Sequence, residues 1–310
     1  MHHHRDAIGS QRDIQLHRVD PERERRAKPF QRILGRQTAT PAVPANMKST
    51  RHTAPQPHTP VCHGAKLRHS APMTDKIPTT DKVLGVLGGM GPLASAQFML
   101  RLTLLTPAAR DQDHIPTVLW SDPRVPDRTR GKLAGGENPE PWLLRGIRGL
   151  KAAGAHAIAI PCNTAHGWYD AMAAEGLPIL HIVDAAAAEL RKVAAKGTIG
   201  LMGTAATLRM RLYQDRLESQ GWTCLTPSDD EMTTRVTPAI GLVKANKVAE
   251  AYAPLAEIVT SLAARGARAV VLGCTEIPLG ILAGPHHTLP VPAIDTIDAL
   301  ALAAIAWARG

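Results

Sequence analysis

Two cysteines stand where apolar, strand-like runs give way to small polar residues. Cys162 lies in AIAIPCNTAH, residues 157–166, and Cys274 in AVVLGCTEIP, residues 269–278. A thiol at the carboxyl end of a strand, with a helix following, is placed to act as acid, base or nucleophile. The unpaired N–H groups and positive dipole end of a helix N-terminus favour the thiolate. The same groups hold a carboxylate. Asn163, Thr164 and Thr275 follow directly, and each can cap a helix or touch an anion. An ordinary thiol is only about 3% ionised at pH 7, so local activation would matter. Two thiols on opposite sides of one ligand suit inversion of a carbon centre: a base takes a proton from one face and an acid returns one to the other. Glu276 could hydrogen-bond near Cys274, or simply favour a helix start. A single isolated cysteine is usually small buried filler, and Cys224, in GWTCLTP, keeps that reading.

What must position these thiols is a duplicated unit. Gly154, Ala155, Ala157 and Cys162 match Gly266, Ala267, Ala269 and Cys274, all at an offset of 112. Leu143 and Leu150 match Leu255 and Leu262, and Leu177, Pro178 and Ile182 match Leu289, Pro290 and Ile294, at the same offset. LGVLGG resembles IGLMGT at an offset of 115. Apolar runs without alternation (83–87, 116–121, 156–161, 178–182; then 198–202, 222–225, 268–273, 291–294) read as strands. Helical patterns separate them, at 92–105, 139–153, 164–175, 184–195, 205–219, 231–244, 246–264 and 296–308. Such strands indicate parallel sheets covered on both faces. The expected fold is α/β: two similar doubly wound parallel-sheet domains related by pseudo-twofold symmetry. Residues 81–183, completed by a C-terminal helix at 296–310, form the first domain and 184–295 the second. In such sheets ligands bind beyond the carboxyl ends of the strands, where PCNT, GCTE, GGMGP and MGTAAT all fall.

Composition narrows the function classes. The net charge of +9 could suggest nucleic acid, but residues 1–72 hold 13 Lys or Arg against 5 Asp or Glu, and 73–310 hold 23 against 22. The basic character belongs to the N-terminal segment, so no nucleic-acid partner is expected for the folded part. Residues 1–80 are expected to be a disordered basic extension, rich in Pro, His, Arg and Gln; a start at Met73 or a tag (MHHHRDAIGS) would also explain them. No secretory or membrane-spanning apolar run stands out. Four widely spaced cysteines make neither a disulfide framework nor a zinc cluster, so a reducing, cytoplasmic setting is expected. GGMGP fails the dinucleotide spacing, since Pro92 and Leu93 follow Gly91; a close backbone approach to a small anion is expected there instead. No metal and no cofactor, pyridoxal phosphate included, are expected.

The stretches GVLGGMGPLAS, TPAARDQDHIP, DPRVPDRT, AIPCNTAHGWYD, LPILHIVDA, AIGLVKANK and LGCTEIPL resemble the aspartate racemases of the cofactor-independent Asp/Glu racemase superfamily. The resemblance implies a homodimeric isomerase that interconverts L- and D-aspartate. Cys162 and Cys274 would be its acid/base pair. Arg128 would pair with a substrate carboxylate and Lys244 would neutralise carboxylate charge from the other domain. Met90, Asn163, Thr164, Thr204 and Thr275 would line the site. Ser95 stands where the family often has Thr. From the residues alone, Arg128 lies in a Pro- and Gly-rich loop of the kind that closes over sites, Lys244 reads as a surface lysine, and His166 either orients a site group or is an ordinary helix residue. Glutamate or broad-range racemisation is the alternative within the family. A two-lobed carboxylate-binding protein is the alternative outside it, but gives no reason for paired cysteines.

Overall fold

Helix ends explain the strongest repeat in the sequence. The computed structural model describes residues 82–285 and 289–310; the expectations for residues 1–80 lie outside them. Helix α3 (Glu140–Ala152) and helix α10 (Tyr252–Ala264) end in the same way. Gly154 and Gly266 follow them at φ +88° and +98°, which only glycine adopts without strain. The N–H of Ala155 reaches the Leu150 carbonyl and that of Ala267 the Leu262 carbonyl, both at 3.0 Å. These are matching Schellman caps, and the leucines that accept the bonds are fully buried. The spacing of 112 residues therefore repeats a helix terminus that aims the chain into a strand.

Among the described residues, eight strands form two parallel sheets. In the first, β1 (Leu84–Gly88), β2 (Thr117–Ser121), β3 (Ala157–Ala159) and β4 (Ile179–Leu180) lie in the order β2-β1-β3-β4. In the second, β5 (Gly197–Gly203), β6 (Trp222–Leu225), β7 (Val270–Gly273) and β8 (Ala293–Asp295) lie in the order β6-β5-β7-β8. The register repeats as well: Gly85 faces Ile158 and Gly200 faces Val270. All residues of β1 and β7 are buried, as strands covered on both faces require. One apolar cluster runs from Leu84, Val86 and Ala159 through Leu300 and Ala304 of the C-terminal helix α12 (Thr296–Arg309) to Val270 and Leu272. Helix α12 packs against α1 (Pro92–Leu105) and α5 (Ile182–Val193). Arg101 of α1 and Asp298 of α12 form a two-pronged ion pair within that contact. No helix among the described residues is long and apolar enough to cross a membrane.

Several elements depart from the sequence expectation. The helix expected at 164–175 starts as a 3-10 turn, Thr164–Trp168, before α4 (Tyr169–Ala173). The one expected at 205–219 breaks into α6 (Ala205–Arg209) and α7 (Gln214–Glu218), with Arg211 at φ +53°. The break turns Tyr213 fully inward. The run from α8 (Asp229–Glu231) to α9 (Thr237–Lys244) passes through a π-helical segment, Met232–Val236. One short helix was not foreseen, α2 (Arg128–Leu133), inside the expected loop; the helix expected after Cys274 is α11 (Glu276–Leu282).

Candidate active site

Equivalent strand ends bring the chemistry together. The turn after β1 supplies Met90, the end of β3 leads to Cys162, β5 leads to Thr204, and β7 leads to Cys274. A single small cavity of about 10 Å³ is lined by Met90, Arg128, Cys162, Asn163, Thr164, Thr204, Lys244, Cys274 and Thr275. These are the nine residues singled out from the sequence. Asp127, Thr129 and Glu276 complete the lining. Both thiols are almost fully buried, with 5% and 4% of their surface exposed.

The two sulfur atoms sit in different surroundings. Burial pushes the Cys162 thiol above its ordinary value; the Arg128 charge pulls down, the Glu276 charge pushes up, and the Ala165 N–H and Lys244 pull down more weakly. Burial and then the Glu276 carboxylate push Cys274 up further. The Cys274 S–H donates to Glu276 Oε2 at 3.1 Å, and the Thr275 hydroxyl donates to the same oxygen at 3.3 Å. The expectation that helix N-termini lower these pKa values is thus overturned. Cys162 leads into a 3-10 turn, and desolvation outweighs the short helix after Cys274. Neither Asn163 nor Thr275 caps a helix through its side chain; Thr204 does, accepting the Thr207 N–H at 3.1 Å.

Arg128 is held by the loop it serves. Its Nη1 donates to the carbonyls of Val125 and Pro126, and its Nη2 to that of Met90, all at 3.1 Å. Its Nε is buried with no hydrogen-bond partner, a donor that a carboxylate in the cavity would satisfy. The glycine loop is also engaged with the chain itself. Gly89 has φ +89°, and a Cβ there would lie 2.4 Å from the Asp122 backbone. Its N–H donates to Ser95 Oγ at 2.9 Å. The close approach expected for a small anion is therefore made to Asp122.

Behind the cavity, side chains tie the two sheets together. The hydroxyls of Thr164, Thr204 and Thr207 lie 3.0 Å from one another. Tyr213 donates its hydroxyl to Asn163 Oδ1, and the Asn163 amide nitrogen donates to Thr296 Oγ1 at 3.2 Å. Burial keeps the Tyr213 phenol neutral, so it remains a donor. Tyr213→Phe would leave Asn163 Oδ1 buried without that donor. It is expected to cost about 2 kcal/mol, lowering the melting temperature by roughly 4–8 °C in thermal denaturation. His166 braces Cys162 from below. Its Nε2 accepts the Ile182 N–H at 3.3 Å, so Nδ1 must carry the proton it gives to the Cys162 carbonyl at 3.0 Å. Burial lowers the His166 pKa to about 4, which preserves this neutral tautomer at neutral pH.

Three known proteins carry the same arrangement of elements or a similar sequence. A family model described as Asp/Glu/hydantoin racemase matches residues 87–304. The chain belongs to this family. The structure of an aspartate racemase from Picrophilus torridus aligns with TM-score 0.66 at 32% identity, covering 74% of this chain and 94% of that one. A broad-specificity amino-acid racemase of Bacillus subtilis is 26% identical over 230 residues, 71% of this chain and 95% of its own length. A glutamate racemase of Deinococcus radiodurans is 28% identical over 214 residues, 67% and 68% of the two chains. Membership makes the chain an isomerase of the racemase type. Among the described residues no cluster of His, Cys, Asp and Glu is arranged to hold a metal ion.

Asp127, Thr207 and Tyr213 were missed in the sequence. For Asp127 a signal existed: it caps α2, accepting the Arg130 N–H at 2.8 Å, and an Asp before a short helical run is a cap pattern. For Thr207 and Tyr213 there was none. Their partners across the site, Thr164 and Asn163, lie 43 and 50 residues away.

Proposed function

We propose that the protein interconverts L- and D-aspartate by proton transfer between Cys162, the substrate Cα and Cys274, without pyridoxal phosphate. The observation that carries this reading is that two thiols from equivalent strand ends line one cavity with Arg128, whose Nε has no hydrogen-bond partner. The α-carboxylate would lie on Arg128, where its charge, growing as the α-proton leaves, meets a preorganised cation. One thiolate takes the α-proton to give an enediolate-like carbanion. The opposite thiol protonates the other face and becomes the thiolate. The reverse reaction exchanges the roles.

The Glu276 bond makes the pair unequal before substrate arrives. Cys274 donates its S–H to a carboxylate, so it is the resting acid. Cys162, whose raised pKa is pulled back by the charges of Arg128 and Lys244, is the sulfur that ionises more readily to act as base. Lys244 would receive the side-chain carboxylate, which favours a dicarboxylic substrate. The 32% identity to an aspartate racemase supports aspartate. The likeness to a broad-specificity racemase over most of both chains favours a wider range as the second reading. The thiols must stay reduced, which suits the cytoplasm.

The deciding experiment is incubation of L-aspartate in deuterated water with no added cofactor, beside L-glutamate and neutral amino acids. Deuterium at Cα with decay of optical rotation supports the reading, and the substrate comparison fixes its range. No exchange into any amino acid would refute it. The raised thiols also set a pH dependence. The active form needs one thiolate, and burial makes that form scarce at neutral pH. Log kcat/KM for L-aspartate is therefore expected to climb with a slope near one from about pH 7 to about pH 9. A flat profile over that range would mean that the active thiolate is already formed below pH 7, against a raised thiol.

A further inference from the structure

The thiol cavity is too small for any amino acid. At about 10 Å³ it has room for about one water molecule. Beside it lies a second cavity of about 480 Å³ that shares Asp127, Arg128, Lys244 and Glu276 with the first. A ligand in the larger space faces the thiols across these four side chains. Two of them are already paired with each other: Asp127 Oδ2 lies 3.8 Å from Lys244 Nζ.

That pair links segments that follow the two different sheets. Asp127 precedes α2, after the first-sheet strand β2, and Lys244 ends α9, after the second-sheet strand β6. The two oxygens of Asp127 have separate partners. Oδ1 accepts the Arg130 N–H at 2.8 Å and fixes the carboxylate as the cap of α2. Oδ2 faces the lysine. Partial burial pushes the Asp127 carboxyl up, but the Arg130 N–H and the charges of Lys244 and Arg128 together hold it below its ordinary value. It is therefore ionised at neutral pH and resembles, in charge and chemistry, the side-chain carboxylate of an acidic amino acid.

We propose that Asp127 is a built-in competitor for Lys244, so that a dicarboxylic substrate reaches the thiols by taking its place on the lysine. This rests on the reading of Lys244 as a carboxylate receptor. A second carboxylate replaces Asp127 charge for charge. A neutral side chain offers Lys244 nothing in exchange, so the pair stays closed against it. Asp127 is in this way a specificity-determining residue, discriminating against the wrong ligand as well as admitting the right one.

The test is Asp127→Asn in the full chain. Asparagine keeps the oxygen that caps α2 and loses the charge that holds Lys244. Succinate, a four-carbon dicarboxylate with no amino group, is titrated calorimetrically at low ionic strength, and KM is measured for L-aspartate. Both constants are expected to fall by about two- to five-fold, the range an exposed ion pair commands. Damage to the fold would not tighten binding. Unchanged or weaker succinate binding overturns the proposal. So does a raised KM for L-aspartate with succinate unaffected, which would make Asp127 the receptor of the α-ammonium group. Lys244→Met separates the underlying reading. If succinate binds that variant as well as it binds the unaltered protein, Lys244 is not a carboxylate receptor and both ideas fail. Tighter succinate binding by Asp127→Asn in a protein that does not racemise aspartate would uphold the competitor and refute the reaction alone.

Discussion

Cys162→Ala and Cys274→Ala are each expected to lose about 10³-fold or more of the racemisation rate, with either enantiomer as substrate. Each direction of the reaction uses one sulfur as base and the other as acid, so removing either stops both directions. The single variants should nevertheless keep half of the chemistry. In Cys274→Ala the remaining Cys162 can still take the α-proton of one enantiomer and return one from the same side. Deuterium should then enter that enantiomer alone, without inversion, as read by NMR and chiral chromatography in deuterated water. Cys274→Ser keeps a hydroxyl for the Glu276 carboxylate that now accepts the S–H. It should also fail to racemise, since a serine hydroxyl neither ionises as a thiol does nor replaces its acidity. Full activity in any of these variants would remove the two-thiol mechanism.

Arg128→Lys carries the second largest expected effect. The guanidinium makes three bonds to backbone carbonyls at 3.1 Å and leaves Nε without a partner. A lysine ammonium cannot hold that loop and also present a donor to a ligand in the plane the fork defines. The expected loss in kcat/KM for L-aspartate is about 100-fold, equivalent to roughly 2.7 kcal/mol of transition-state stabilisation. Steady-state kinetics with a parallel thermal melt separates this from simple unfolding. A loss below about threefold would mean that Arg128 anchors the loop and nothing more.

Much of the architecture was legible because it is carried by local pattern. The offset of 112 residues between the cysteines is also the offset between two helix caps, Leu150 to Ala155 and Leu262 to Ala267. Non-alternating apolar runs mark β1 and β7, and both are buried throughout. The strand ends then follow, and with them Cys162 and Cys274; Arg128 and Lys244, away from strand ends, were legible through the family resemblance and not through local pattern. Helix boundaries were less legible where long-range contacts override propensity. Nothing near Arg211 announces that the chain must turn so that Tyr213 can meet Asn163. The state of the thiols was misread for a related reason. A helix N-terminus can be inferred from neighbouring residues, but desolvation depends on everything packed around the sulfur, and here it wins.

By itself the sequence determined that the folded part is a duplicated α/β unit, and that a thiol stands after the equivalent strand of each copy. Periodicity and helix-ending glycines act within a few residues, so they can be read without a fold. Only the tertiary structure decided that both thiols line one cavity, that Cys274 alone gives its proton to a carboxylate, that Arg128 keeps one nitrogen unpartnered, and that Asp127 sits on Lys244. Those facts depend on distances of a few ångströms between residues up to 117 positions apart. Charge, burial and hydrogen bonding act through space, and the order of residues along the chain does not specify that proximity until the two sheets have packed.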